Sequence, residues 1–209
     1  MQLEEKLMFW ERYQQKYKGG DYGYHWGGEK VLQIVSDLCA PIVKGKRVLE
    51  IGGGGGKWTK ALFDRMGAEY VISTDIHDTA IKAIKAHEPR ADVYKTDGKG
   101  IKLKGKWDLV FTYDVFLHLP QSLVMRYLLD AVKVSDEIIF QLPDLNSKVG
   151  SDLFLWYAQN DVFNDPYNKG YMNFYTKDQV ESMAEKAGGK LTVLGEIENR
   201  DLLFHVKFR

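Results

Sequence analysis

The chain of 209 residues carries 29 Lys plus Arg against 29 Asp plus Glu, so no overall charge draws it to nucleic acid or to an anionic membrane surface. Its length suits one full-sized domain with a sizeable core and is short for two. The single cysteine, Cys39, leaves no internal disulfide; it follows an apolar helical stretch and is expected in the core, in keeping with a reducing compartment.

The opening MQLEEKLMFWERYQQKYK is charged throughout, without an apolar core of signal-peptide length. No stretch of the chain approaches the roughly 20 apolar residues of a membrane span, and a cytoplasmic location is expected. Next, GGDYGYHWGGEK sets Tyr22, Tyr24, His25 and Trp26 among small residues, a pattern open to two readings, a lid and ordinary loop packing. RVLEIGGGGGKWT (47–59) then places five consecutive glycines between an apolar, β-rich run and a helical segment. Glycine stabilises helices and strands poorly, so such a run marks positive φ or a ligand lying against bare backbone. A linker would alternate glycine with serine and would not be flanked by regular elements.

Further β-rich runs follow at 70–74, 91–95, 107–113 and 137–142, with helical segments between the first three. LPQSLVMRYLLDAV predicts a helix with Pro120 at its first position, crossing from the fourth strand to the fifth. The last third predicts a helix over 176–187, opened by the TKDQ capping pattern, then KLTVLGEI and DLLFHVKF joined by ENR as an antiparallel hairpin. Alternating strands and helices imply an α/β fold whose parallel sheet is covered on both faces through right-handed crossovers.

Aromatic residues are unevenly spread: 15 of the 27 lie outside the alternating region, before the first strand or between Phe154 and Tyr175. They either wall a small-molecule pocket at the carboxyl edge of the sheet or pack a helical cap on it.

Spacing decides among glycine-loop ligands. A phosphate loop needs G-x-x-x-x-G-K-[ST], and here Ile51 stands at the first glycine and Trp58 at the hydroxyl position. The dinucleotide pattern G-x-G-x-x-G fails because its third glycine would fall on Lys57 or Trp58. What fits is Glu50-x-Gly52-x-Gly54-x-Gly56, and here the chain resembles the class I S-adenosylmethionine (SAM) methyltransferases over its whole alternating region. The resemblance implies a Rossmann-like seven-stranded mixed sheet, mostly parallel with a C-terminal antiparallel hairpin, helices on both faces and an N-terminal helical cap. It implies one domain over 1–209, with 1–43 as cap or lid and 147–175 as a substrate-side insertion.

Residue by residue, the resemblance makes Glu50, Gly52, Gly54 and Gly56 the seat of the methionyl part of SAM. Asp75, with Ile76 beside it, matches the acid that accepts from the ribose hydroxyls, and Asp97-Gly98 matches the adenine-contacting turn. Asp114, in WDLVFTYDVFLHLP, falls at the methyl-donor end, and Trp26 offers an aromatic face to the sulfonium.

The methyl on a sulfonium is already activated, so holding a nucleophile in line supplies most of the acceleration, and a base matters chiefly for a hydroxyl acceptor. Candidate catalytic residues are His118, Asp114 and His25, with His118 read either as the base or as a packed residue bonded to its loop. The acid-to-histidine spacing is similar to that of ubiquinone-pathway O-methyltransferases, but Leu117 replaces their second acid, and no metal site is expected. His77, His87 and His205 read as structural, and the lysines of 95–106 as a solvated face.

The loop after the fourth strand lacks the N-P-P-[YF] pattern used for planar amide and base nitrogens. It is closer to that of bacterial enzymes acting on sugars and small metabolites. The expectation is a SAM-dependent methyltransferase that releases S-adenosylhomocysteine (SAH) and methylates a small-molecule hydroxyl, as a monomer or homodimer, with neither nucleic acid nor membrane as partner. RNA or protein methylation and a catalytically silent SAM-binding protein stand as alternatives.

Overall fold

The computed structural model describes residues 28–160 and 172–208. Its elements in chain order are α1 (Gly28–Val43), β1 (Arg47–Ile51), α2 (Lys57–Asp64), β2 (Tyr70–Asp75), α3 (Asp78–His87), β3 (Asp92–Lys95), β4 (Leu109–Thr112), a 3-10 turn (Phe116–His118), α4 (Gln121–Val134), β5 (Glu137–Pro143), α5 (Lys148–Gln159), α6 (Lys177–Lys186), β6 (Gly189–Ile197) and β7 (Asp201–Phe208). The strands form one seven-stranded sheet in the order β3-β2-β1-β4-β5-β7-β6. β1 to β5 run parallel, and β7 and β6 close the sheet as the expected antiparallel hairpin.

The central strands are apolar on both faces over most of their length because helices cover both sides. On one face Leu49, Ile51, Val110, Ile138 and Phe140 meet Val124, Tyr127 and Leu128 of α4 and Val180 and Ala184 of α6. On the other, Val48, Val71, Leu109, Phe111 and Ile139 meet Val31, Val35, Cys39 and Val43 of α1 and Trp58, Ala61 and Leu62 of α2. Within the expected cap over 1–43, the described helix α1 is thus a layer of this core. Burial pushes the Cys39 thiol up to about 12, so it stays a packed thiol.

Two local readings need correction. Pro120 caps α4 from outside, with ψ 146, and its carbonyl accepts from the N–H groups of Leu123 and Val124. β4 is shorter than 107–113 because Trp107 makes only an isolated bridge to Ser135, and Asp114, with φ 57, turns the chain out of the strand. The TKDQ signal is a complete capping box, in which Thr176 accepts from the Gln179 N–H and the Gln179 side chain accepts from the Thr176 N–H.

The strand order reverses between β1 and β4, and the crevice beyond their carboxyl ends is where open α/β sheets take ligands. Because β7 runs antiparallel and pairs Asp201 with Pro143 at the end of β5, it starts at that same edge. No helix among the described residues is long and apolar enough to cross a membrane.

Candidate functional site

The glycine loop leaves β1 with Gly52, Gly54 and Gly56 at φ 74, 54 and 85, a region that residues with a Cβ enter at an energetic cost. A Cβ on Gly52 would lie 2.3 Å from Val115, on Gly53 2.1 Å from the Ser73 hydroxyl, and on Gly56 3.2 Å from the Cα of Ile84. At Gly52 and Gly53 the protein's own atoms exclude a side chain, and at Gly56 they leave only a tight fit. The loop is pressed onto β2, α3 and the loop after β4, a reason for glycine beside the positive φ and the ligand that the sequence reading offered. Gly56 then caps α2 without a side-chain bond, so the helix N-terminus, the positive end of its dipole, begins directly at the loop. His87 fastens the far side: its Nδ1 lies 2.6 Å from the Gly55 carbonyl, which only accepts, so Nδ1 carries the proton.

Glu50 lies beneath the loop, 1% exposed, and cannot face a ligand directly. Its carboxyl accepts from the Thr59 hydroxyl at 2.5 Å and bonds to Ser73, tying β1 to α2 and β2. Burial pushes it up to about 7 against the pull of those two bonds.

Asp75, at the end of β2, is also buried. Its Oδ2 accepts from the Gly54 N–H at 3.0 Å, and its Oδ1 accepts from the N–H groups of Ile76 and His77 at 2.7 and 3.1 Å. Asp75 therefore locks the glycine loop to the start of α3. Among the described residues three of the roughly four acceptor positions of this carboxylate are in use, and the fourth suits a hydroxyl from outside. Desolvation raises its pKa despite the three N–H donors. Asp78 is the first residue of α3 and pairs with Lys95 at 2.7 Å. In the neighbouring turn after β3 Gly98, φ 69, sits where a Cβ would come 3.0 Å from the Ile76 side chain, so the turns after β2 and β3 touch. Asp97 before it is exposed, accepts from the Lys99 N–H and pairs with Lys102, which holds its carboxyl below the ordinary range.

Asp114 is the richest position. Gln141 of β5 donates from Nε2 to Asp114 Oδ1 at 3.2 Å and accepts the Asp114 N–H through Oε1 at 3.0 Å. The same Nε2 lies 3.1 Å from Asp201 Oδ2, and Asp201 holds the Arg200 guanidinium in a fork of 2.7 and 2.5 Å. Burial raises the Asp114 carboxyl to about 6, with Asp201 adding to the rise and Arg200, Lys57 and the Gln141 bond opposing it. Lys57, buried at the start of α2, lies 5.0 Å over the Trp58 ring, and burial lowers its pKa against the charge of Asp114. Trp58 in turn packs 4.3 Å from the Tyr113 ring.

His118 ends the 3-10 turn and donates its N–H to the Val115 carbonyl. That turn is held by Asn173, which donates from its backbone to Leu117 and from its side chain to Leu117 and Leu119. His25 and Trp26 lie outside the described residues. Of the aromatics after β5, Tyr157 and Phe174 pack edge to face at 5.7 Å, Tyr175 is in the main core, and Phe154 and Trp156 are exposed. His205 pairs with Glu137 at 2.8 Å on the inner hairpin strand. Among the described residues no group of three or more His, Cys, Asp or Glu could hold a metal ion.

The sequence reading missed Gln141, Asn173 and the Arg200–Asp201 pair, while His87, read as structural, fastens the glycine loop. Of those missed, only the pair had a signal, an adjacent Arg-Asp opening a strand whose antiparallel pairing puts its start at the ligand edge.

A family model described as a methyltransferase domain matches residues 24–193. The chain belongs to the class I SAM-dependent methyltransferases. A curated relative, trans-aconitate 2-methyltransferase of Rhizobium rhizogenes, is 28% identical over 136 residues, and the match spans 64% of this chain and about half, 53%, of that protein. Among solved structures this methyltransferase is similar to a DhpI–SAM–HEP complex, with TM-score 0.73, 15% identity and 98% and 97% of the two chains covered. Magnesium protoporphyrin IX methyltransferase of Synechocystis PCC 6803, solved with SAH, gives TM-score 0.67 at 16% identity over 87% and 83%. At such identities the structural likeness establishes the fold of this methyltransferase.

Proposed function

We propose that the chain is a single-domain, cytoplasmic enzyme that transfers a methyl group from SAM to a small molecule, with a hydroxyl of a sugar or secondary metabolite as the acceptor. The observation that carries the cofactor reading is the flattened glycine loop locked by Asp75, with one carboxylate acceptor position open and a helix N-terminus behind it. The residues fit SAM: bare backbone at Gly52–Gly56 for the methionyl chain, Asp75 for a ribose hydroxyl, Asp97-Gly98 and Ile76 for the adenine. SAM supplies a carbon already activated by its sulfonium. Glu50 acts through the loop as a positioning residue, by joining β1, β2 and α2 beneath it.

On the acceptor side Asp114 is held by Gln141 at the end of β4, and a carboxyl near 6 is ionised at neutral pH and able to take a proton from an acceptor. His118, in the adjoining turn, is the second candidate base. Segment 1–43 serves as the N-terminal cap, with α1 as its core-packed part and His25 and Trp26 as lid residues, and 147–175 as the substrate-side insertion. The name of the curated relative supports an acidic small molecule as a further acceptor class. Calorimetric titration with SAM and SAH tests the reading: binding with a rise in melting temperature supports it, and no binding by either removes it.

A further inference from the structure

Resting on the methyltransferase reading, we propose that Arg200 is the acceptor anchor, and that the acceptor carries a carboxylate bound to the outer edge of its guanidinium. The observation is how the donors of Arg200 are divided. A guanidinium has five N–H donors in a planar fork. Nε and one terminal nitrogen are spent on Asp201, at 2.7 and 2.5 Å, and the edge formed by the two terminal nitrogens meets no partner among the described residues. The side chain is 32% exposed, whereas that of Asp201 beneath it is 1% exposed. Asp201 is itself fixed by Gln141. Arg200 is therefore oriented before any ligand arrives, and the ordering that usually weakens binding by a long side chain is already done.

Its position suits an acceptor. Arg200 grips Asp201, whose Oδ2 shares the Gln141 amide nitrogen with Asp114 Oδ1, and its charge acts on Asp114, on Tyr113 just after β4 and on Tyr157 of α5. The β6–β7 hairpin delivers it there, because β7 begins at the carboxyl edge of a sheet whose other site strands end at that edge. The two N–H groups of the outer edge match the two oxygens of a carboxylate. A phosphate dianion would meet more repulsion from Asp114 and Asp201, while Lys57 beside Asp114 offsets a single added negative charge. Since Asp201 already offsets the guanidinium charge, selectivity rests on the fork geometry.

The test uses the full chain saturated with SAH, titrated by calorimetry with mono-, di- and tricarboxylic acids that include trans-aconitate, citrate and the matched pair glucuronate and glucose. The expected result is that at least one acid binds, that glucuronate binds more tightly than glucose, and that Arg200→Ala weakens acid binding tenfold or more with SAH affinity within about twofold. Arg200→Lys keeps the charge without the fork and is expected to lose most of the acid binding, which keeps the test decisive if the alanine variant does not fold. Acids that fail to bind the SAH-loaded chain, or that bind both variants as tightly as the native chain, overturn the anchor alone. Failure of SAH itself to bind removes the cofactor reading and the anchor with it.

Discussion

Gln141 and Asp114 exchange two hydrogen bonds, amide nitrogen to carboxylate at 3.2 Å and backbone N–H to amide oxygen at 3.0 Å. This clamp fixes both the side chain of Asp114 and its backbone at φ 57, a conformation a non-glycine residue holds only where its surroundings impose it. The amide orientation is itself fixed, because Nε2 must also face Asp201.

Gln141→Leu keeps the volume and removes the clamp. It leaves the Asp114 N–H without its acceptor, a loss of about 1–3 kcal/mol for a buried group, and the melting temperature is expected to fall. The Asp114 carboxyl, no longer receiving an N–H, is expected to titrate above its value of about 6. Carbon-13 NMR of the aspartate carboxyls checks this, and an unmoved Asp114 titration rules the clamp out as the determinant.

Asp75→Ala removes the acceptor for the Gly54, Ile76 and His77 N–H groups as well as the ribose partner. SAM affinity is expected to drop by about tenfold or more. Asp75→Asn keeps an amide oxygen for some of these donors and is expected to fall between the two. Equal calorimetric affinities for the native and alanine chains would reject the ribose role.

His118→Ala separates the two readings of this residue. As the base its loss lowers turnover by about 10²-fold or more with SAM affinity nearly intact, whereas a residue that only packs its turn changes the melting temperature and little else. Turnover is read as SAH released with the best acceptor found by screening; native turnover in the variant takes His118 out of the chemistry.

Glu50 makes stability depend on pH in a defined direction. Its folded pKa, about 7, is raised above that of an unfolded glutamate, so between roughly pH 4.3 and 7 the folded state binds more protons, and stability falls as pH rises through that window. The difference is worth up to roughly 4 kcal/mol above pH 7. Melting curves from pH 5 to 8 are expected to show the decline, and Glu50→Gln to flatten it; an equal slope in both chains would contradict the assignment.

The sequence by itself determined the sheet, the glycine loop and the acids at the strand ends. Those features are local: a β-rich apolar run, glycines at alternate positions and an acid at a strand's end are adjacent in the chain and need no distant partner to be seen. The capping box at Thr176 and Gln179 was legible for the same reason, its two halves being three residues apart. Only tertiary structure decided that Val115, Ser73 and Ile84 hold the loop flat, that Glu50 is a buried strut, and that Gln141, Asp201 and Arg200 stand behind Asp114. Gln141 and Asp201 are 60 positions apart and meet because β5 and β7 pair side by side. A hydrogen bond between side chains on separate strands depends on register and strand direction, and neither leaves a mark in the spacing of a single segment.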